Sequence, residues 1–373
     1  MTADTVGGVW TYSMELAAAL APHGVELIVA VMGREPDAGQ REQARLLPNV
    51  RLAVSSLRLE WMPEPWRDVD AAGVWLLGLA EREGVDLVHL NGYALGALDF
   101  GVPVVVVGHS CVLSWWRAVR GGDAPASWDT YRTRIAAGLR GAHVVVTPTR
   151  AMLGCLREHY GEPRAARVIP NGRHVRYVTP ARKSPCILAA GRLWDEAKNI
   201  AALDRVAAGL PWPCLVAGEM RAPLGAGAAV GSGGVRPLGR LGPAEMAARY
   251  SEAAVFAHPA RYEPFGLAPL EAGLAGCALV LGDIPSLREV WGDAAAYADP
   301  DDDAALRAAL LRLIGDPDQR KRAGAAARRR AGEDSRRRMG EAYFGLYQEL
   351  IGDRASPRPT GRAGAAPLAP AVG

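Results

Sequence analysis

The sequence predicts an α/β protein of two doubly wound domains facing each other across a cleft, and three observations predict it. Apolar, β-rich runs alternate with helix-length stretches along the whole chain, the pattern of parallel sheets covered by helices on both faces. At 373 residues the chain exceeds what one hydrophobic core usually organises. The alternation breaks between Pro170 and Pro185, where NGRHVRYVTPARKS carries charge, Gly and Pro but no long apolar run, and this reads as an interdomain linker. The first domain is therefore expected over residues 1–175 and the second over 176–335. Residues 336–352 form an expected C-terminal helix that can return to the first domain. Residues 353–373, rich in Pro, Ala, Gly and Arg, read as a disordered tail.

Only Met1, Thr2 and Ala3 precede a glycine loop, DTVGGVW, at Asp4 to Trp10. Such a loop follows a first strand in a doubly wound domain, so either that strand is a stub or the true start lies upstream. A parallel sheet tolerates an under-filled centre poorly, which favours the upstream start. Gly7 and Gly8 let the backbone approach a ligand with its N–H groups free, although alone they would read as a tight turn. An amphipathic helix follows from Trp10 to Ala21, with Leu16, Leu20 and the alanines toward the sheet. Strands are predicted at Glu26–Val31, Leu87–Leu90, Val102–Val107 and Val144–Thr147, with helices at Ala71–Glu83 and Trp128–Leu139. The second domain offers strands at Cys186–Ala190, Cys214–Ala217, Val255–His258 and Ala278–Leu281, and a helix at Ala304–Ile314. From Arg320 to Arg338, nine Lys and Arg face two acids on one predicted helix. A solvated face is the commoner use of such a run, and weak contact with an anionic membrane surface is the sharper one.

Hydrophobic content of 49% with 22% charged residues is that of a folded soluble protein, and a net charge of +3 steers it toward neither nucleic acid nor acidic lipid. Five scattered cysteines, Cys111, Cys155, Cys186, Cys214 and Cys277, read as small buried hydrophobes in a reducing compartment. No signal-peptide pattern and no bilayer-length apolar run is present, so a cytoplasmic location is expected.

The segment RYEPFGLAPLE, Arg261 to Glu271, sets two glutamates eight positions apart around a Phe-Gly turn. Pro264 and Gly266 force a loop, and Pro269 suits the first turn of a helix. Free N–H groups at Gly266, Leu267 and Ala268 then add the positive end of a helix dipole. Ionised carboxylates only accept hydrogen bonds and sugars present vicinal hydroxyls, so Glu263 and Glu271 beside this turn match a nucleotide sugar. The bland alternative is a loop of solvated acids. Arg192 and Lys198 lie six apart after CILAAG, where two fixed cations can stabilise a departing diphosphate without a metal; Asp195 and Glu196 could pair with them instead. DPDDD at Asp299–Asp303 falls at a helix start and reads as capping. His109 ends VPVVVVGH facing the cleft, where it can donate to a sugar hydroxyl or shuttle a proton. His89 with Asn91, and Trp115 and Trp116 of LSWWRAV, are assigned to the acceptor side, although core packing is the commoner fate of Trp; His258 reads as core edge.

DTVGGVW, VVVGHS at Val105–Ser110, AAGRLWDEAKN at Ala189–Asn199, RYEPFGLAPLE and LVLGDIPSLREV at Leu279–Val290 follow the motif order of family 4 glycosyltransferases. The chain resembles that family over about residues 3–350. The resemblance implies the GT-B fold and transfer of a sugar from a UDP-, GDP- or ADP-sugar with retention of configuration, without metal or cofactor. It implies His109 and Glu263 at the donor sugar, Arg192 and Lys198 on the diphosphate and Glu271 on the ribose. Gly7, Gly8, Phe265, Gly266 and Leu267 complete the implied donor contacts, and the acceptor is a saccharide, lipid or small molecule. A sugar-nucleotide epimerase on the same fold and a degenerate binding or regulatory subunit are the rival readings.

Overall fold

The computed structural model describes residues 1–174, 183–220 and 233–355. The middle of the expected linker, residues 175–182, and the expected tail beyond residue 355 lie outside the described residues. The strands are β1 (Thr2–Asp4), β2 (Leu27–Met32), β3 (Val50–Val54), β4 (Val88–Leu90), β5 (Val104–Val107), β6 (Val144–Thr147) and β7 (Ala166–Val168) in the first domain. The second contains β8 (Ser184–Ala190), β9 (Cys214–Ala217), β10 (Val235–Gly239), β11 (Ala253–His258), β12 (Ala278–Gly282) and β13 (Ala296–Ala298). Between them run α1 (Gly8–Leu20), α2 (Ala38–Arg45), α3 (Trp66–Glu83), α4 (Val112–Arg120), α5 (Asp129–Gly141) and α6 (Arg150–Tyr160). The second domain adds α7 (Ile200–Ala207), α8 (Pro243–Glu252), α9 (Leu267–Leu274), α10 (Pro285–Trp291), α11 (Asp303–Gly315) and α12 (Pro317–Ala331), and α13 (Arg336–Ala355) closes the described chain.

Among the described residues all strand pairs are parallel, with second-domain order β10-β9-β8-β11-β12-β13. Successive residues of β8 point to opposite faces. Ile187 and Ala189 pack with α7 and α11 residues such as Leu203 and Leu310, whereas Leu188 and Ala190 pack with Leu270, Trp291 and Ala327. In the first domain Val104 and Val106 of β5 face Leu76 of α3 and Ile135 of α5, while Val105 and Val107 face Leu16 of α1. Burial on both faces makes such strands continuous apolar runs, which is why they are legible. The strands that the sequence pattern leaves out include β3, β7, β10 and β13, and each is a sheet edge. An edge has one open side, so VRLAV, ARV and VRPLG can carry Arg or Pro there.

The first domain's strands form two groups, β1-β2-β3 and β4-β5-β6-β7. At the seam Asn91, just past β4, bonds β1 in place of a ladder, its N–H to Thr2 Oγ1 (2.8 Å) and its Nδ2 to the Thr2 carbonyl (2.7 Å). A groove of about 630 Å³, lined by Ile28, Leu76, Val88, His89 and Phe344 among others, runs beside it.

The basic run occupies two helices rather than one, because the chain breaks at residues 332–335 to cross between domains. Its charges are partly spent inside the protein: Arg320 lies 4.8 Å from the centre of the Trp212 ring, Arg330 pairs with Asp334 and Arg336 pairs with Glu15. Helix α13 then packs on α1, with Met339, Tyr343, Leu346 and Tyr347 in one cluster with Trp10, Tyr12 and Leu16. The two crossings touch, since Arg173 N–H donates to the Asp334 carbonyl and Arg336 N–H to that of Arg173. A Cβ at Gly172 would lie 2.3 Å from the Ser335 carbonyl oxygen. Gly172→Ala is accordingly expected to lower stability by about 1–3 kcal/mol, read as a lower denaturant midpoint; an unchanged midpoint would contradict this packing. Among the described residues no helix is long and apolar enough to cross a membrane.

Candidate functional site

In the second sheet β8 and β11 are neighbours although three strands apart in sequence, so the strand order reverses between them. Loops leaving the carboxyl ends of two such strands diverge and open a crevice. The β8 loop carries Arg192 and Lys198, and the β11 loop carries Glu263. Lys198 Nζ lies 2.8 Å from Glu263 Oε2, and His258 Nε2 lies 3.1 Å from the same oxygen. Burial raises the Glu263 pKa, but the Lys198 charge and the His258 hydrogen bond outweigh it and hold the carboxyl well below the usual range. The loop is pinned at both ends of its turn: Ser286 Oγ donates to the Glu263 carbonyl (2.5 Å), and Thr149 Oγ1 of the first domain to that of Pro264 (3.0 Å). Gly266, at φ 95°, caps α9, whose leading N–H groups have no partner inside the helix.

Arg192 pairs with Asp195 at 2.7 Å, while Glu196 pairs with Arg120 of the first domain. The alternative pairing therefore occurs between Arg192 and Asp195, whose side chain is buried rather than part of a surface network, and not for Lys198, which reaches Glu263 instead. Glu271 on α9 meets Arg173 at 2.5 Å, and Arg173 meets Glu15 of α1 at 2.6 Å. Burial raises the Glu271 pKa, with Arg173 opposing. One guanidinium at the domain crossing thus joins both domains beside α9.

The first domain presents loops from β1, β4 and β5. Gly7 adopts φ 89°, a left-handed conformation that only glycine takes cheaply, and a Cβ there would lie 3.6 Å from Arg192 Nη1. A Cβ at Gly8 would lie 3.3 Å from Leu267 Cδ1. The glycine loop and the second domain's Arg192 and Leu267 are therefore in direct apposition. Asp4, beneath the loop, accepts from Val6 N–H at 2.8 Å, and burial pushes its pKa up to about 6 against the pull of Arg192 and Arg34. His109, past β5, lies 2.8 Å through Nε2 from Asn91 Oδ1, and burial lowers its pKa to about 4. The ring of Tyr12 stands edge-on to it, centroids 4.5 Å apart.

The structure places three of the expected contact residues against partners within the protein. The Phe265 side chain is 3% exposed and packs in the second domain's core, so that position offers the cleft backbone rather than a ring. Trp115 spans the domain interface, donating from Nε1 to Asp195 Oδ1 at 3.0 Å, and Trp116 packs on the first domain's core. Both rings stay partly exposed, and α4 gives each a partner within the protein. His258, read as core edge, is buried at the end of β11 and also orients Glu263. Tyr262, not singled out from sequence, accepts the Cys111 N–H at 3.0 Å and so ties the Glu263 loop to the His109 loop. The acids of DPDDD are engaged structurally: Asp302 caps α11, Asp301 pairs with Arg261 and Asp303 with Arg205.

The sequence profile described as Glycosyltransferase Family 4 matches residues 6–176, and that described as Glycosyl transferases group 1 matches residues 177–330. The O-antigen chain mannosyltransferase B of Escherichia coli is 39% identical over 93 residues, 25% of this chain and 24% of that protein. The chain thus matches about a quarter of the length of such curated relatives. Among solved structures, sucrose-phosphate synthase of Thermosynechococcus elongatus matches with a TM-score of 0.78 at 20% identity, over 94% of this chain and 99% of that one. Anabaena HepE, in complex with UDP and glucose, matches with a TM-score of 0.73 at 15% identity, over 94% and 99% of the two chains. Identities this low speak for the fold, which is GT-B. With its two halves matched in order and folded in this way, the chain belongs to the family 4 glycosyltransferases.

Proposed function

We propose that the protein transfers a sugar from a nucleoside diphosphate donor to a hydroxyl acceptor, with retention of configuration and without a metal ion. The observation that carries this reading is the meeting of Gly7 with Arg192 beside the Lys198–Glu263 pair, at the facing crevices of the two sheets. In this reading the C1–O bond to the diphosphate breaks with its electron pair going to the phosphate oxygen, whose charge Arg192, Lys198 and the α9 N-terminus stabilise. The acceptor oxygen bonds C1 on the face the diphosphate leaves, and its proton passes to that phosphate oxygen. Same-face attack suits the site because the acids beside Arg192, Lys198 and α9 are already paired with cations. Glu263 is held by Lys198, Glu271 by Arg173 and Asp195 by Arg192, and none stands free as a nucleophile. Glu271 is assigned to the ribose hydroxyls and Glu263 to the sugar.

The test is a panel of UDP-, GDP- and ADP-hexoses with and without hydroxyl acceptors. Nucleoside diphosphate should appear only with acceptor, in a product of the donor's anomeric configuration, and saturating chelator should leave turnover unchanged. Release without acceptor, with an epimerised sugar, would indicate the epimerase reading. Activity abolished by chelator and restored by Mg²⁺ would overturn metal independence.

A further inference from the structure

We propose that Asn91 is a positioning residue: it holds His109 in the Nε2–H form, so that His109 meets the substrate through Nδ1 as a hydrogen-bond acceptor. The inference deepens the transferase reading, on which the role of His109 rests. Its basis is the orientation of one amide. The Thr2 carbonyl can only accept, so the Asn91 atom 2.7 Å from it must be the nitrogen. The same nitrogen lies 3.3 Å from Ser13 Oγ. Asn91 Oδ1 therefore faces the two histidines, 2.8 Å from His109 Nε2 and 3.1 Å from His89 Nε2. An amide oxygen only accepts, so both ring nitrogens must carry hydrogen.

For His89 the remaining nitrogen, Nδ1, then accepts from the Tyr347 hydroxyl at 2.6 Å, which anchors the array to α13. For His109 the remaining nitrogen takes no protein hydrogen bond among the described residues, and it is not among their buried unpaired atoms. It is open to a ligand. Burial keeps the ring neutral near pH 7, so Nδ1 offers a bare lone pair. The polarity is opposite to the donation first expected of His109: a sugar hydroxyl can give it a hydrogen bond, whereas a carboxylate at that point would meet lone pair with lone pair.

The test reads the free protein, so it stands or falls apart from any donor. In ¹⁵N-histidine-labelled protein near pH 7, the His109 signals, assigned by their loss in His109→Gln, should show a protonated Nε2 and an unprotonated Nδ1. Asn91→Leu should relax that preference and lower the transfer rate on the order of tenfold, the scale of one lost hydrogen bond. Tyr347→Phe removes the hydroxyl from His89 and should lower the unfolding midpoint while leaving the His109 tautomer unchanged. A wild-type His109 protonated at Nδ1, or a tautomer indifferent to Asn91→Leu, would overturn the proposal. If Asn91→Leu does not fold, the wild-type tautomer decides alone.

Discussion

Replacing Lys198 with methionine is expected to lower transfer about a hundred- to a thousandfold and to destabilise the fold by about 3–5 kcal/mol near neutral pH. The first effect follows from the proposed transfer, in which a fixed cation is lost where the departing diphosphate would gain charge. The second follows from Glu263, whose side chain is 15% exposed and whose charge Lys198 balances. In the wild type the depressed Glu263 pKa adds stability that is present above the ordinary carboxylate range and lost as pH falls through the folded-state value. In the variant burial is expected to prevail over the remaining His258 contact and to raise the folded pKa above the unfolded one. The sign therefore reverses: the deficit should shrink in acid and grow as pH rises through the new folded value. Thermal unfolding of both proteins across that range checks it. A deficit that does not shrink in acid, or transfer kept within about tenfold, would refute the assignment.

The two glutamates should separate in calorimetry with free nucleoside diphosphate. Glu271→Ala is expected to weaken its binding about ten- to a hundredfold, the scale of a charge-assisted hydrogen bond to the ribose. Arg173 keeps Glu15 as a partner in that variant, so the domain crossing is not left with an unbalanced charge. Glu263→Ala should spare nucleotide affinity, because it frees Lys198 from a competing anion, yet lower transfer by a similar factor, since contacts to the sugar are missing when its ring becomes cationic. Equal losses of nucleotide affinity in the two variants would mean the roles are wrong.

Much of this architecture is readable in one dimension because of what burial does to composition. Strands such as β5, β6 and β12 are covered on both faces and must be apolar throughout, and Gly7 and Gly266 mark turns whose positive φ other residues adopt at a cost. The loop residues Arg192, Lys198 and Glu263 could be picked out because their types suit phosphate and sugar chemistry and they follow predicted strands.

Partnership was decided only by the tertiary structure. Lys198 finds Glu263 sixty-five positions away, Asn91 sets His109 against Thr2, and Arg173 gathers Glu15 and Glu271 from opposite domains. Nothing local distinguishes Asp195 from Glu196, yet one closes on Arg192 and Trp115 and the other on Arg120. Trp115, read from sequence on the acceptor side, bonds the Asp195 carboxylate of the other domain for the same reason. An aromatic or charged side chain announces what it can bond. Which bond it makes depends on the strand order that brings distant loops to one crevice, because an electrostatic or hydrogen-bonding partner is selected by separation in space.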